Sequence, residues 1–255
     1  MFIEEIETLI KKQSGVDISY KIQFQDEVFS WNEDEKYRSA STIKVPISIV
    51  CLQQHTEDYE DIKLKAGKKV GGSGVLHTLK DMDELSLWDT VVLSNIVSDN
   101  STSNMLMNHV GFEKLKTGFE EMGLKNSVAG LNYYDFEAAK NGKRNSASAG
   151  DMFRVMKLLN EDSGILPKDM RESFFDVLKS QQFNERVGGY IGIDEENGEY
   201  IASKTGTVEG LEHEYGVIYK NGRTLIFSVF TDGWEENQDG VYFLNQMGKI
   251  FNKYL

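Results

Sequence analysis

Residues 200–231 read YIASKTGTVEGLEHEYGVIYKNGRTLIFSVFT. Three runs rich in β-branched and aromatic residues predict strands over 200–207, 213–219 and 224–231. The Asn-Gly pair at 221–222, between the last two runs, is typical of a tight hairpin turn. Strands in this C-terminal part of the chain need partners to form a sheet.

The N-terminal end of the chain supplies such partners. Residues 16–31 alternate polar and apolar side chains around a turn near 25–27, which predicts a hairpin. Amphipathic helical patterns precede it, over 2–14, and close the chain, over 241–255. Because too few strands lie at either end to make a sheet of ordinary size, we expect both sets to pair in one sheet.

The middle of the chain, residues 41–180, is mostly helical in its periodicity. The predicted helices cover residues 44–54, 87–97, 102–109, 112–122, 149–159 and 168–178. We therefore expect an α/β lobe built from 1–40 and 185–255, with a helical lobe, 41–184, inserted into it. Catalytic clefts commonly lie between two such lobes.

Charge and composition exclude several partners. The formal net charge of −13 repels nucleic acid and anionic membrane surfaces, whereas a small anionic substrate can still bind local lysines. Cys51 is the only cysteine, so no intramolecular disulfide forms, and the four histidines lack metal-ligand spacing. We expect no metal site and a small-molecule substrate.

The N-terminal residues have neither the basic segment nor the continuous apolar segment of a secretion signal. No stretch is apolar over the length of a membrane span. The chain as it stands is expected to be cytoplasmic, or exported if a signal had been removed.

Three short motifs carry the chemistry, and they follow one another in a fixed order. They are Ser41-Thr42-Ile43-Lys44, Ser98-Asp99-Asn100 and Lys204-Thr205-Gly206-Thr207. Average residue usage makes all three in this order an accident in about one chain in a thousand. Together they predict a serine acyl-transfer site.

The first motif offers a nucleophile and a base. Ser41 precedes an apolar helical run, so we expect its hydroxyl at a helix N-terminus, where the helix dipole favours developing negative charge. Lys44 follows one turn later, within reach of the serine oxygen. To accept a proton it must be neutral, which requires burial or a neighbouring cation such as Lys204. Taken alone, the motif also fits a capping serine followed by a solvated lysine.

The other two motifs complete the site. Ser98 and Asn100 fall in a turn between two predicted helices, where Ser98 can relay a proton to a leaving nitrogen and Asn100 can hold a substrate carbonyl. In isolation, this triplet also fits ordinary helix caps. Gly206, at the end of a predicted strand, permits close approach of backbone or ligand, and the strand edge beside Ser41 can present an oxyanion donor.

These motifs resemble those of the penicillin-recognising serine hydrolases, and within them the class A β-lactamase-like family. The resemblance spans roughly residues 20–235. Further segments that resemble the family are Gly72 to Leu76, Asn104, Asn145 to Met152 and Gly216 to Asp232.

The resemblance implies an α/β (α+β) fold of the β-lactamase/transpeptidase type: a five-stranded antiparallel sheet flanked by N- and C-terminal helices, with an inserted all-α lobe. It also implies the roles of the site residues. Ser41 forms the acyl-enzyme and Lys44 is its base, Ser98 shuttles a proton, and Lys204 with Thr205 binds the substrate carboxylate. The amides of Ser41 and Thr207 form the oxyanion hole. No cofactor is needed, since side chains supply the nucleophile and the proton carriers.

The chain departs from the family at two places. The omega-loop motif Glu-x-x-Leu-Asn, whose glutamate activates the water that releases the acyl group, is absent from residues 131–139. Asp135 and Glu137 are the candidate substitutes, each of which also fits a solvated loop carboxylate. The arginine that many class A enzymes place beside the Lys-Thr-Gly strand is absent near Tyr215, where His213 can partly compensate or play a structural part.

Three functions remain open from sequence. The first is a serine hydrolase that acts on a β-lactam, or a related amide or ester, with slow deacylation. The second is a non-hydrolytic penicillin-binding protein or sensor of a peptidoglycan-like ligand. The third is a cytoplasmic esterase or peptidase unrelated to cell-wall chemistry.

Overall fold

The computed structural model describes residues 1–255. Its nine strands are β1 Asp17–Phe24, β2 Glu27–Trp31, β3 Tyr37–Arg38, β4 Lys63–Lys65, β5 Glu84–Ser86, β6 Ser146–Ala147, β7 Tyr200–Val208, β8 Leu211–Lys220 and β9 Arg223–Asp232. Its nine α-helices are α1 Phe2–Lys11, α2 Lys44–Gln53, α3 Leu87–Ile96, α4 Asn100–Val110, α5 Phe112–Glu121, α6 Phe136–Lys140, α7 Ala149–Asn160, α8 Lys168–Lys179 and α9 Asn237–Tyr254. Short 3-10 turns occur at Leu76–Thr78, Val187–Tyr190 and Glu195–Asn197.

The central sheet has five strands in the order β2-β1-β9-β8-β7, and every neighbouring pair is antiparallel. Strand β1 from the N-terminal end pairs with β9 from the C-terminal end along its whole length, from Asp17 opposite Asp232 to Phe24 opposite Leu225. The predicted five-stranded antiparallel sheet with mixed α/β architecture is confirmed. Strand β7 lies at one edge of the sheet, which leaves one side without a partner strand.

The hairpin between β8 and β9 shows how local sequence sets the register. Asn221 and Gly222 both have positive φ, 50° and 73°. Such angles match the twist of a two-residue antiparallel hairpin, and Asn and Gly tolerate them better than other residues do. Lys220 therefore pairs with Arg223, and the ladder runs on to Leu211 opposite Asp232.

Each face of the sheet covers its own apolar core. On one face, Ile22, Leu225 and Phe227 pack with residues of α1 and α9, such as Phe2 and Phe251. On the other, a larger core joins sheet residues, among them Tyr215, Val217 and Phe230, to the helices in the middle of the chain. Alternation along each strand sends successive side chains to opposite faces, so both layers of helices find an apolar surface.

The predicted helices of the middle region are all present, with ends within about two residues of expectation, as is usual for helix ends. Three features are not predicted: the bridge of β3 with β6, the bridge of β4 with β5, and the one-turn helix α6. Strands of two or three residues are too short to show a periodicity, so the sequence carries no signal for them. No helix is long and apolar enough to cross a membrane.

This arrangement brings the three motifs together. Helix α2 is buried almost along its full length, and it packs against α4, which begins at the second motif. The edge strand β7 carries the third motif. The site therefore forms where two helix starts meet one sheet edge.

Candidate active site

Ser41 lies in a turn that several buried side chains hold in place. The helix α2 begins at Lys44 and not at Ser41, so the serine occupies the turn directly before the helix, where its carbonyl accepts the Lys44 amide at 3.3 Å. The hydroxyl of Tyr215, fully buried in β8, donates to the Thr42 carbonyl at 2.7 Å. The Thr42 hydroxyl donates to the Ser39 carbonyl at 2.7 Å.

Two backbone features of this turn bear on chemistry. Ala40, immediately before Ser41, has φ +46°, a left-handed conformation that is costly for a residue other than glycine. The Ser41 amide donates no hydrogen bond within the protein. A free amide next to a candidate nucleophile is available to a developing oxyanion.

Lys44 is fully buried, and its ammonium nitrogen is surrounded by polar acceptors. Its Nζ lies 2.5 Å from the Ser98 carbonyl oxygen, 3.2 Å from Ser98 Oγ and 2.9 Å from Asn100 Oδ1. Burial lowers the pKa of Lys44 well below its ordinary value, the charge of Lys204 lowers it further, and Asp99 opposes both. The fold therefore favours the neutral form of Lys44 more than water does, and this is the form that a general base requires.

The ring of Tyr133 covers another side of the same ammonium group, with its centroid 4.5 Å from Lys44 Nζ. An aromatic face attracts a cation by about 0.5–2 kcal/mol. Full burial commonly costs a lysine charge about 4–7 kcal/mol. Desolvation outweighs the attraction of the ring, which agrees with the lowered pKa of Lys44.

The second motif connects two helices and supports the first. Asp99 caps α4 by accepting the Thr102 amide at 3.0 Å, and its second oxygen accepts the amides of Val75 and Leu76. Ser98 takes φ +54° just before this cap. That conformation turns its carbonyl and its hydroxyl toward Lys44.

The amide of Asn100 is engaged on both sides. Its oxygen accepts from Lys44, and its nitrogen donates to the Gly71 carbonyl at 3.0 Å. Asn100 thus links the buried Lys44 to the loop that contains Gly71.

Lys204 of the third motif, on β7, also contacts the Ser98 hydroxyl. Lys204 is fully buried, and its Nζ lies 3.1 Å from Ser98 Oγ and 3.0 Å from the Thr205 carbonyl. Burial lowers the pKa of Lys204 to about 7, and the Arg186 charge contributes, while Glu214 opposes. Ser98 Oγ therefore stands between two lysines whose charges are both destabilised.

Gly206 allows β7 to approach the nucleophile turn. A Cβ atom at this position would lie 2.8 Å from Thr42 Cγ2 and 3.2 Å from the Ser39 carbonyl oxygen. Any larger side chain would push the strand away from Ser41. Thr207, one residue further, carries the second amide expected at the oxyanion site.

Behind β7 lies a buried polar network that the sequence analysis misses. Arg186 donates to Glu212 Oε2 at 2.8 Å and to Thr207 Oγ1 at 2.6 Å, and Thr207 Oγ1 also donates to Glu212 at 2.9 Å. Glu214, also buried, accepts from the Val187 amide at 2.8 Å and from Ser203 Oγ at 2.9 Å. Two carboxylates two positions apart in a central strand are the signal that could have revealed it, since such residues stay buried only when paired.

Comparison with known proteins places this geometry in a family. Residues 1–255 match the family model described as "Beta-lactamase enzyme family". The chain belongs to the beta-lactamase enzyme family. No curated protein sequence gives a significant match to it.

Several solved structures share the fold over nearly the whole chain. A beta-lactamase from Sphaerobacter thermophilus DSM 20745 is 26% identical with a TM-score of 0.86, covering 99% of this chain and 96% of that one. PBP-A is 19% identical, also with a TM-score of 0.86, covering 99% and 95%. An acyl-enzyme complex of the PBP-A L158E mutant with penicillin G is 20% identical, with the same TM-score and coverage.

A tyrosine, Tyr133, lies beside the turn that carries the candidate nucleophile Ser41. The Tyr133 hydroxyl donates to the Ala40 carbonyl at 2.9 Å. Burial raises the pKa of Tyr133 above its usual value. In the stretch around Tyr133, only the acidic residues Asp135 and Glu137 are predicted from sequence as site candidates.

The two acidic candidates of that stretch are engaged elsewhere. Asp135 caps α6 and accepts the Ala138 amide at 2.9 Å. Glu137 is 80% exposed and pairs with Lys140 at 2.9 Å. Neither carboxylate hydrogen-bonds to Ser41, Lys44 or Ser98, so the structure does not bring these candidates for deacylation into the cluster.

His213 is also occupied by the protein itself. Its Nδ1 accepts the Thr231 amide at 3.1 Å, so its Nε2 donates to the Arg38 carbonyl at 3.1 Å. Burial lowers the pKa of His213 to about 3, which keeps the ring neutral. With both nitrogens bound to backbone, it holds the segment before the nucleophile turn and offers no free donor to a substrate carboxylate.

Proposed function

We propose that this beta-lactamase family member is a serine hydrolase that forms an acyl-enzyme at Ser41 with a β-lactam or a related amide or ester, and releases the acyl group slowly. The observation that carries the proposal is the convergence of two buried lysines on Ser98 Oγ, 3.2 Å from Lys44 Nζ and 3.1 Å from Lys204 Nζ, next to the Ser41 turn.

The first half-reaction follows from this cluster. Neutral Lys44 takes the proton of the Ser41 hydroxyl, and Ser41 Oγ attacks the substrate carbonyl carbon. The negative charge on the carbonyl oxygen is stabilised by the free Ser41 amide and by the Thr207 amide. As the carbon–nitrogen bond breaks, Ser98 passes its proton to the leaving nitrogen and regains one from Lys44.

Lys204 has two effects in this scheme. Its charge lowers the pKa of Lys44, and its ammonium group attracts an anionic substrate. Because the pKa of Lys204 is about 7, an anionic substrate that binds beside it favours its charged form. Substrate binding therefore strengthens the electrostatic effect that makes Lys44 a base.

Slow release follows from what surrounds Ser41. General bases commonly contribute about 10² to 10⁴ in rate, and the carboxylates of Asp135 and Glu137 are bound elsewhere. Tyr133, which binds the carbonyl of the residue before Ser41, remains a protonated phenol at neutral pH because burial raises its pKa. These contacts also favour the second candidate function, a penicillin-binding protein that is acylated once and turns over negligibly.

Intact mass spectrometry after mixing with penicillin G tests the proposal. We expect a stoichiometric adduct on the unchanged protein that decays slowly, and none on Ser41→Ala. Absence of an adduct on the unchanged protein, or an equal adduct on the variant, would contradict it. Repeated turnover of a chromogenic cephalosporin separates a hydrolase from a protein that is acylated once.

A further inference from the structure

We propose that Tyr133 acts in opposite directions on the two half-reactions at Ser41: its ring favours acylation by keeping Lys44 dry, and it slows release by occupying the space of the hydrolytic water. This inference rests on the proposed function, since it concerns the fate of the acyl-enzyme.

Tyr133 contacts the backbone directly before Ser41 and the ammonium group of Lys44. Its hydroxyl donates to the carbonyl of Ala40, the residue before the nucleophile, at 2.9 Å. Its ring centroid lies 4.5 Å from Lys44 Nζ. A single side chain therefore covers the Ser41 turn and the base at once, on the side that Ser98 and Asn100 leave free.

The ring is held in this place by its own backbone. The Tyr133 amide donates to Asn104 Oδ1 at 2.7 Å, and Asn104 Nδ2 donates to the Tyr133 carbonyl at 3.0 Å. Asn104 projects from α4, the helix that also carries Asn100. The preceding residue, Asn132, donates to Asn108 of the same helix at 2.8 Å. The segment that carries Tyr133 is thus fixed to α4, and the first residue of that helix, Asn100, contacts Lys44 Nζ.

Release of the acyl group requires a water molecule in the space that the Tyr133 ring occupies. A water oxygen must bond to the acyl carbon while the bond from that carbon to Ser41 Oγ breaks. One proton of the water returns to Ser41 Oγ through Lys44, and the other leaves with the carboxylic acid product. The water must therefore sit beside both Ser41 and Lys44, where the Tyr133 ring lies, and a protonated phenol takes no proton from it.

Acylation needs the opposite condition. Lys44 must be neutral to take the Ser41 proton, and exclusion of water from the ammonium group favours its neutral form. Removing the ring lets water solvate Lys44 and raises its pKa toward the ordinary value. Asp99 and Lys204, the other charges that act on Lys44, stay unchanged by such a substitution.

Three variants and one control test this division of roles. Tyr133→Ala removes the ring, Tyr133→Phe keeps the ring without the hydroxyl, and Asn104→Ala loosens the segment but leaves Tyr133 intact. Phe136→Ala, at a side chain 66% exposed in the same segment, is the matched control. For each, intact mass with penicillin G gives the rate of adduct formation across pH and the rate of adduct loss.

For Tyr133→Ala we expect adduct loss to accelerate by about tenfold or more and adduct formation at pH 7 to slow, with its midpoint moved to higher pH. Asn104→Ala should change the rates of adduct formation and adduct loss in the same directions as Tyr133→Ala. It therefore tests the inference even if Tyr133→Ala fails to fold. Tyr133→Phe and Phe136→Ala should release the adduct within about threefold of the unchanged protein.

Two results would overturn the inference while leaving the proposed function in place: adduct loss unaltered in both Tyr133→Ala and Asn104→Ala, or a midpoint of acylation that does not move. Fast release from the unchanged protein would also overturn it. Failure of the unchanged protein to form any adduct would instead refute the proposed function, and the inference with it.

Discussion

Lys44, at the start of α2, and Lys204, on β7, both contact the hydroxyl of Ser98. Ser98 Oγ lies 3.2 Å from the first ammonium nitrogen and 3.1 Å from the second, and both lysines are fully buried. Two like charges this close in a region of low dielectric disfavour simultaneous protonation. Burial and the Lys204 charge both lower the pKa of Lys44, and this supports its proposed role as a base.

The first prediction concerns this pair. Lys204→Met removes a donor to Ser98 Oγ and should slow acylation of Ser41 by about tenfold to a thousandfold. Because the Lys204 charge lowers the pKa of Lys44, its removal should move the pH midpoint of acylation upward. The rate of adduct formation with penicillin G, measured from pH 5 to 10, checks both effects.

Lys220→Met is the control for this experiment, since Lys220 binds the Gly192 carbonyl and Asn252 away from the site. It should leave the midpoint unchanged. A midpoint that stays the same or falls in Lys204→Met would show that the two ammonium groups are not coupled.

A second prediction concerns replacement of the Tyr133 ring by a carboxylate that can act as a base. Tyr133→Glu places a carboxylate beside Ser41 and Lys44, where it can accept a proton from a water molecule. We expect release of the acyl group to accelerate by about 10² to 10⁴, measured as the steady rate of cephalosporin hydrolysis. Phe136→Glu adds the same charge at an exposed position of the segment and should leave release slow. Equal rates in the two variants would contradict the assigned geometry.

Gly206 gives a third prediction, on the approach of β7 to the nucleophile. A Cβ atom there collides with Thr42 Cγ2 at 2.8 Å, so Gly206→Ala should push Lys204 and the Thr207 amide away from Ser41. We expect acylation to fall by about tenfold or more, because small misplacements in an active site are costly. The free energy of unfolding should fall by about 1–3 kcal/mol.

Gly192→Ala is a suitable control, since only Lys220 Nζ lies near its added atom, at 4.0 Å. Urea unfolding and adduct formation measured together separate loss of fold from loss of geometry. Normal acylation by Gly206→Ala would mean that the strand does not contact the turn this closely.

A fourth prediction uses the buried carboxyl behind β7. Burial raises the pKa of Glu214 to about 7 from an unfolded value of 4.5. The folded state therefore binds more protons than the unfolded state between these values, so this group lowers stability as pH rises from 4.5 to 7. The full effect is roughly 3 kcal/mol.

Glu214→Gln keeps the acceptor for the Val187 amide and a partner for Ser203, and it removes the titration. The free energy of urea unfolding of this variant, relative to the unchanged protein, should rise from pH 4.5 to pH 7.5. Glu172→Gln, at an exposed position, should show no such trend. A constant difference between Glu214→Gln and the unchanged protein would mean that Glu214 is ionised throughout.

Much of the fold was predictable because its signals are local. Apolar residues at helical spacing mark α2 and α7, alternation marks β1, and the Asn221-Gly222 pair marks the last hairpin. The pairing of β1 with β9 also followed, since neither chain end has enough strands alone. The pairings of β3 with β6 and of β4 with β5 were not predictable. These strands have two or three residues each, too few to show a periodicity, and they pair only because the fold brings them together.

The sequence by itself determined which residues stand at fixed local offsets: Ser41 and Lys44 one turn apart, Asp99 at the start of α4, and Gly206 where a strand must come close. Backbone geometry fixes such offsets within a few residues, so they follow from spacing alone. Residues 131–139 also contain no Glu-x-x-Leu-Asn pattern.

Tertiary structure alone decided what these groups can do. In the folded chain, Lys44 and Lys204 are buried around the Ser98 hydroxyl, and the Tyr133 ring lies against Lys44. Glu137 is exposed to solvent, and both ring nitrogens of His213 are bound to backbone. Desolvation and charge coupling depend on which distant segments pack together, and a residue type does not reveal them. The same lysine would be a solvated cation on a surface helix, whereas here its charge is destabilised because the fold excludes water and brings a second cation beside it.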